Sequence, residues 1–178
     1  MILAIQAQRQ LFRYGFFTKY KPPVLEALQG FQVIEQVSEE SLKEVLPLIR
    51  AYQEFYGVQN VCDKKNFEFF SRFSGASELG RQFLFREHEK VVGFATVYFT
   101  FNSTITSKIA VLNDLYTLPH SRGNGIGRKL IEHCREFAKN NGAARLQWVT
   151  AQDNESAQKL YDSMAAGKST WHFYTYNT

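Results

Sequence analysis

The stretch Leu115-Tyr116-Thr117-Leu118-Pro119-His120-Ser121-Arg122-Gly123-Asn124-Gly125-Ile126-Gly127 decides how this chain is read. The residues before it, Lys108 to Thr117, read as a strand. Those after it, Gly125 to Asn140, read as a helix, because Ile126, Leu130, Cys134 and Phe137 fall on one face and Gly142 lies just past the end. A strand therefore runs through a glycine-rich turn into an amphipathic helix. Glycines at alternate positions let a backbone approach a ligand and turn its N–H groups inward. The helix start adds partial positive charge, and Arg122, Arg128 and Lys129 add full charges, a combination that suits a pyrophosphate. The same glycines also suit a tight strand–helix turn with no ligand. The spacing is G-x-G-x-G, not G-x-G-x-x-G, and Gly-Lys-Ser/Thr is absent, so neither the dinucleotide fingerprint nor a Walker A loop is present.

Working outward, Phe31 to Val37 alternates apolar and polar residues and reads as a strand. Ser38 starts a helix with Glu39 and Glu40 in its first turn, where acids complement the helix dipole. Its apolar face is Leu42, Val45, Leu46 and Ile49, and Pro47 predicts a kink or a break. A second helix covers Lys64 to Phe73. Strands follow at Gln82 to Glu87 and Lys90 to Phe101, joined by a turn at His88-Glu89. After the glycine-rich turn and its helix come a strand, Arg145 to Ala151, and a helix capped by Asn154, with Ala157, Leu160, Tyr161 and Met164 on one face. Ser169 to Tyr176 reads as a last strand. Helices interspersed with a mixed sheet give an α/β (α+β) class with both sheet faces covered.

The 178 residues and 20.6 kDa suit one domain. With 44% hydrophobic and 21% charged residues the chain falls among globular proteins. No apolar run approaches the ~18 residues that span a membrane. The net charge is +4, but three of those charges come from residues 1–30, where Arg9, Arg13, Lys19 and Lys21 face Glu26 alone. The body from 31 to 178 is nearly neutral, which gives no case for nucleic acid. Residues 1–30 read as a separate extension, either a helix or arm or a disordered start. Cys62 and Cys134 are too few for a disulfide framework, which points to a reducing, cytoplasmic setting. The scattered His88, His120, His133 and His172 make no zinc pattern, so no metal is expected.

The motif Arg122-x-x-Gly125-x-Gly127, after a strand and entering a helix, resembles the acyl-CoA motif of the GNAT superfamily of N-acetyltransferases. Asn154-Glu155-Ser156-Ala157 followed by Leu160-Tyr161 resembles the N-x-x-A…(F/L)-Y segment of the same superfamily. The order and spacing fit from Phe31 to Tyr176, most closely to the diamine and polyamine branch. The resemblance implies a mostly antiparallel central sheet with helices on both faces, and acetyl-CoA as co-substrate. Leu115, Tyr116 and Thr117 would pair with the pantetheine arm. The amides of Gly123, Asn124, Gly125, Ile126 and Gly127 would hold the pyrophosphate, with Arg122 and Arg128 nearby. Asn154 would touch the cofactor, and Tyr161 would be the general acid at the sulfur.

On pattern alone Tyr161 is a core tyrosine and Asn154 a helix cap, and both readings stand beside the implied roles. The polyamine branch commonly has a glutamate where Asn113 stands, and asparagine cannot take a proton. Asp114 would face the other side of a regular strand unless a bulge intervenes. Asp114 and Glu54 are the remaining candidates for the base. Where the family tends to have glycine after the last helix, this chain has Ala165. Ala51 to Gly57 would line the acceptor site with aromatics and one acid, suiting a small primary amine. The leading expectation is therefore an N-acetyltransferase attacking directly in a ternary complex. A protein or peptide acetyltransferase and a non-catalytic acyl-CoA-binding module are the alternatives. A homodimer is expected, because an aromatic strand at 169–176 is hazardous as an open edge.

Overall fold

The structure is a computed structural model that describes residues 32–178. The expectations for residues 1–30 lie outside the described residues. The elements are β1 (Gln32–Gln36), α1 (Glu39–Phe55), α2 (Asp63–Phe70) with a 3-10 turn at Ser71–Phe73, β2 (Gly80–Glu87) and β3 (Lys90–Asn102). They continue as β4 (Ser107–Thr117), α3 (Ile126–Asn140), β5 (Leu146–Gln147) and α4 (Glu155–Asp162). The strands form one sheet in sequence order, β1-β2-β3-β4-β5. The first three joints are antiparallel and the last, β4 with β5, is parallel.

Strand alternation assigns each residue to one of two cores. Phe83, Phe85, Val97, Ala110 and Leu112 face α3, where Ile126, Leu130, Ile131 and Cys134 meet them. Leu84, Phe94 and Tyr116 face the other way, onto Val37, Leu42, Val45, Leu48 and Ile49 around α1 and onto Phe70 and Phe73. Each fully buried side chain of this size contributes about 1.5–3 kcal/mol. Ser38 caps α1 in a reciprocal pair with Ser41.

Several sequence expectations are corrected. α1 runs through Pro47 unbroken, because the turns around it bury Leu48 and Ile49; Leu48 joins the apolar face, against which Leu46 packs half-buried. The strand expected over Arg145–Ala151 shrinks to Leu146–Gln147, since β4 pairs with it only at Ala110 and Val111. The strand expected over Ser169–Tyr176 is absent: the segment has no regular structure, and Trp171 and Tyr176 are 85% and 98% exposed. Its alternating pattern supplies two faces, but among the described residues no neighbouring strand supplies a ladder. Among the described residues, no helix is long and apolar enough to cross a membrane.

Candidate active site

The site is organised by an interruption in β4. Thr96 pairs with Asp114 and Val97 with Leu112, so Asn113 is an extra residue, a β-bulge. In a regular strand Asp114 would share the α3 face with Leu112. The bulge turns it, with Tyr116, toward α1, while Leu115 packs on the α3 side. Past Val111, β4 also loses β5 as its neighbour. The stretch Leu115-Tyr116-Thr117 thus lies on a strand edge with no ladder partner on the β5 side.

At the end of that edge the chain turns through Pro119–Ser121 into the glycine-rich loop. Gly123 and Gly125 have φ of +82° and +76°, the left-handed region open to glycine without a Cβ penalty. The first amide of α3 with a helical acceptor is Lys129, bonded to the Gly125 carbonyl at 3.1 Å. The N–H groups of Gly123, Asn124, Gly125, Ile126, Gly127 and Arg128 find no acceptor among the described residues. Six free donors at a helix start form an anion cradle.

The cationic side chains beside this loop are held in place. Arg122 donates Nε–H to the Thr117 carbonyl at 3.0 Å and lies 5.7 Å from the Tyr116 ring. Arg128 donates to Ser163 Oγ at 2.7 Å, which ties the start of α3 to the end of α4. Lys129 is hydrogen-bonded to Gln32 Oε1.

α4 carries the other two expected residues. Asn154 Oδ1 accepts the Ala157 amide at 3.3 Å, so the capping reading holds, and Asn154 also lines a cleft of about 800 Å³. Phe55 and Tyr56, from the end of α1, form the opposite wall. Tyr161 sits edge-on to Trp148 at 5.3 Å and packs against the α3-side core. Its hydroxyl is pushed above the usual phenol range by burial, and then by the nearby Tyr56. A tyrosine that stays protonated at neutral pH keeps a proton to give.

Across the gap the rings continue. Tyr56 packs edge-on to Tyr52 at 5.0 Å, and Tyr52 to Tyr116 at 6.1 Å. Beyond Tyr52 lies Asp114, only 5% exposed. Asn113 donates its amide to Asp114 Oδ1 at 3.0 Å and to the Tyr98 hydroxyl at 3.2 Å. Asp114 Oδ2 has no hydrogen-bond partner among the described residues. Burial raises the Asp114 carboxyl above its ordinary value, while Thr96, Asn113 and Tyr52 pull in the opposite direction. Glu54, the other candidate, is exposed and lies apart from this group, beside Arg50 and Asn60.

Residues 45–165 match the acetyltransferase (GNAT) family. The chain belongs to the GNAT acetyltransferase family. This GNAT enzyme is an N-acetyltransferase, and the family's co-substrate is acetyl-CoA. The free amide cradle and the open β4 edge fit an extended, phosphate-bearing thioester. Among the described residues no cluster of His, Cys, Asp or Glu can hold a metal ion. The chain is 30% identical over 129 residues to the uncharacterized N-acetyltransferase YhfO of Bacillus subtilis, covering 72% of this chain and 85% of that one. It is 37% identical over 76 residues to the thialysine N-epsilon-acetyltransferase of Mus musculus, 43% of this chain and 44% of that one. The chain thus spans under half the length of that second relative.

Among solved structures, a probable acetyltransferase is 27% identical with a TM-score of 0.71, over 82% of this chain and 97% of that one. The aminoglycoside N-acetyltransferase AAC(6')-Iy in complex with CoA has a TM-score of 0.73 over 83% of this chain and 95% of that one. At 16% identity that likeness speaks for the fold alone.

Tyr52 lies within the aromatic region that the sequence assigns to the acceptor, whereas no motif marks Thr96, Tyr98 or Trp148. The signal for the first two is present: Thr96 and Tyr98 carry hydroxyls within the otherwise apolar run Val91–Phe99, at alternate positions after Phe94.

Proposed function

We propose that this N-acetyltransferase moves the acetyl group of acetyl-CoA to the primary amine of a small molecule by direct attack, with both substrates bound together. The observation that carries the reading is the gap where β5 leaves β4, with six free amides at one end and Tyr161 across it. The cradle from Gly123 to Arg128 binds the pyrophosphate, with Arg122 alongside, and the edge at Leu115-Tyr116-Thr117 pairs with the pantetheine arm. Asn154 contacts the cofactor from the facing wall. Tyr161 gives its proton to the departing sulfur. The aromatic wall of Tyr52, Phe55 and Tyr56 suits an aliphatic ammonium. The thialysine relatives support an amine acceptor of that size.

Tyr161→Phe keeps the ring against Trp148 and removes only the hydroxyl. The expected result is a fall in kcat of about 100-fold, with acetyl-CoA affinity unchanged. Thiol release from acetyl-CoA with a panel of diamines, polyamines, lysine analogues, aminoglycosides and short peptides measures it. Turnover only with peptides would replace the small-molecule reading, and cofactor binding with no turnover on any amine would favour a binding module. The exposed aromatic side chains of residues 169–176 support a homodimer. Light scattering on the full chain, and on one ending at Lys168, tests that; a monomeric full chain refutes it.

A further inference from the structure

A tyrosine can protonate a departing sulfur only where its hydroxyl is held in place, and the helix that carries Tyr161 is lightly anchored. α4 joins the sheet through the two residues of β5, and between them the chain forms neither helix nor strand. No residue of α4 is fully buried. Its inward side rests on Leu160 and Tyr161, and just beyond its end on Met164, all half-buried against the α3-side core. Apolar packing is non-directional, so it holds α4 against α3 but leaves sliding and rotation poorly fixed. A directional bond is needed to set the place of the Tyr161 hydroxyl.

The first turn of α3 supplies one. Arg128 Nη2 donates to Ser163 Oγ at 2.7 Å and reaches the Ser163 carbonyl at 3.4 Å. The Ser163 hydroxyl in turn donates to the Leu160 carbonyl at 2.6 Å. Ser163 is the C-cap of α4, two residues past Tyr161, and a cation there also suits the helix dipole. One residue earlier on α3, Gly127 makes room for Leu160: a Cβ at Gly127 would lie 3.1 Å from Leu160 Cδ2. Gly127 and Arg128 therefore meet α4 on both sides of Tyr161, at Leu160 and at Ser163. The amides of the same two residues are the last free donors of the cradle. Arg128 thus presents its backbone to the anion site and its guanidinium to the end of α4. Lys168, the other cation near this end of α4, bonds only to Gln158 and Asp162, so it does not tie α4 to α3.

We infer that the Arg128–Ser163 hydrogen bond positions the Tyr161 hydroxyl for the transfer. The inference rests on the reading of Tyr161 as the acid. Arg128 and Ser163 are positioning residues, because neither side chain touches the sulfur or the amine. A pyrophosphate seated on the cradle fixes the thioester relative to the first turn of α3. The Arg128 guanidinium fixes Tyr161 relative to that same turn, so acid and leaving group share one point of reference. Arg128 is half-buried and Ser163 exposed, and a hydrogen bond in such a place adds little to stability. Its effect on rate is another matter, since a misplacement of about 1 Å can cost about 100-fold.

The test uses Arg128→Met, which keeps the amide and the stem, together with Ser163→Ala and Ser163→Thr, all in the full chain. The first two are also combined with Tyr161→Phe. The measurements are kcat and KM for acetyl-CoA with the fastest amine of the panel above, acetyl-CoA affinity by calorimetry, and thermal melting. Arg128→Met and Ser163→Ala are each expected to lower kcat about 10-fold, with acetyl-CoA affinity and melting point unchanged. Ser163→Thr keeps the hydroxyl and is expected to keep most of the rate. In the Tyr161→Phe background either change should cost less than about 2-fold more, because no hydroxyl is left to position. Losses that multiply with that of Tyr161→Phe would overturn the inference, since the bond would then act elsewhere. Weaker acetyl-CoA binding with unchanged kcat in Arg128→Met would overturn it too, by assigning the guanidinium to the phosphates. A Tyr161→Phe enzyme as fast as the wild type, or a wild type that acetylates no amine, would instead overturn the underlying reading, and the positioning role with it.

Discussion

Ala165 closes α4 with φ of +54°, a left-handed backbone that costs a residue with a Cβ about 1 kcal/mol. The resemblance expects glycine there, and the turn keeps the glycine conformation with an alanine in it. Ala165→Gly is therefore expected to raise unfolding stability by up to about 1 kcal/mol, offset in part by the looser unfolded chain. Urea titration measures it, and a lower midpoint would mean the methyl group makes contacts that outweigh the strain. Asp114 is a second residue held at a cost to stability, being buried with one carboxyl oxygen unpartnered. Its folded-state pKa is raised, so the folded protein holds that proton more tightly than the unfolded chain does. Stability falls as pH rises from the unfolded value through the folded one, and the deficit is fully present above it. Asparagine carries no such deficit, so Asp114→Asn is expected to melt no lower than the wild type at pH 7 in a thermal scan, and a clearly lower melting point would show that the carboxyl's contacts outweigh its burial. The roles proposed for Tyr161 and Asn154 come from the motif's resemblance to the family, since pattern alone gives a core tyrosine and a helix cap. The orientation of Asp114 was not legible in the sequence, because a one-residue bulge leaves no mark in composition or periodicity.

At the scale of elements, the acceptor side depends on how α1 is fixed to the sheet. Arg86 on β2 bonds Glu35 on β1 at 2.9 Å and Glu44 on α1 at 2.8 Å, and its Nη1 also donates to the Glu89 carbonyl at 3.0 Å. Its side chain is 19% exposed, whereas Glu44 is half exposed, so solvent screening reduces the pair's contribution. Arg86→Met is expected to cost about 1 kcal/mol near pH 7. The Arg86 hydrogen bond holds the Glu44 carboxyl below its ordinary value. That part of the stability is present above the unfolded pKa and is lost as pH falls through the folded one. The difference between wild type and variant should therefore shrink in acid; a difference constant from pH 7 to pH 3 would exclude the ion pair as its cause. A second element-scale expectation concerns the loop. Gly125→Ala forces a Cβ into φ +76° at the cradle, and calorimetry with acetyl-CoA should show affinity at least 10-fold weaker.

At the scale of the molecule, hydrophobic periodicity recovered the helices and the three long strands, whose ends moved by a few residues. It failed at the late strands. The pattern at 169–176 and at 145–151 describes faces a strand could bury, and pairing depends on a neighbour that pattern cannot show. The parallel joint is accordingly reduced to Ala110–Leu146 and Val111–Gln147. A ligand lying along the free edge of β4 would fill what the sheet lacks, so acetyl-CoA should raise the melting temperature. At 100 times its Kd the gain is about 2.7 kcal/mol, readable by thermal scanning. An unchanged melting point at saturating cofactor would contradict the cradle.

The strand order has a kinetic consequence. β2 and β3 close through the turn at His88-Glu89, and β3 and β4 through Ser103–Thr106, so both joints form between near neighbours in the chain. The β4–β5 joint has to wait for the whole of α3 to cross over. In refolding, the sheet signal should therefore mature before the chain becomes able to bind its cofactor, and the last step of folding is the one that switches the enzyme on.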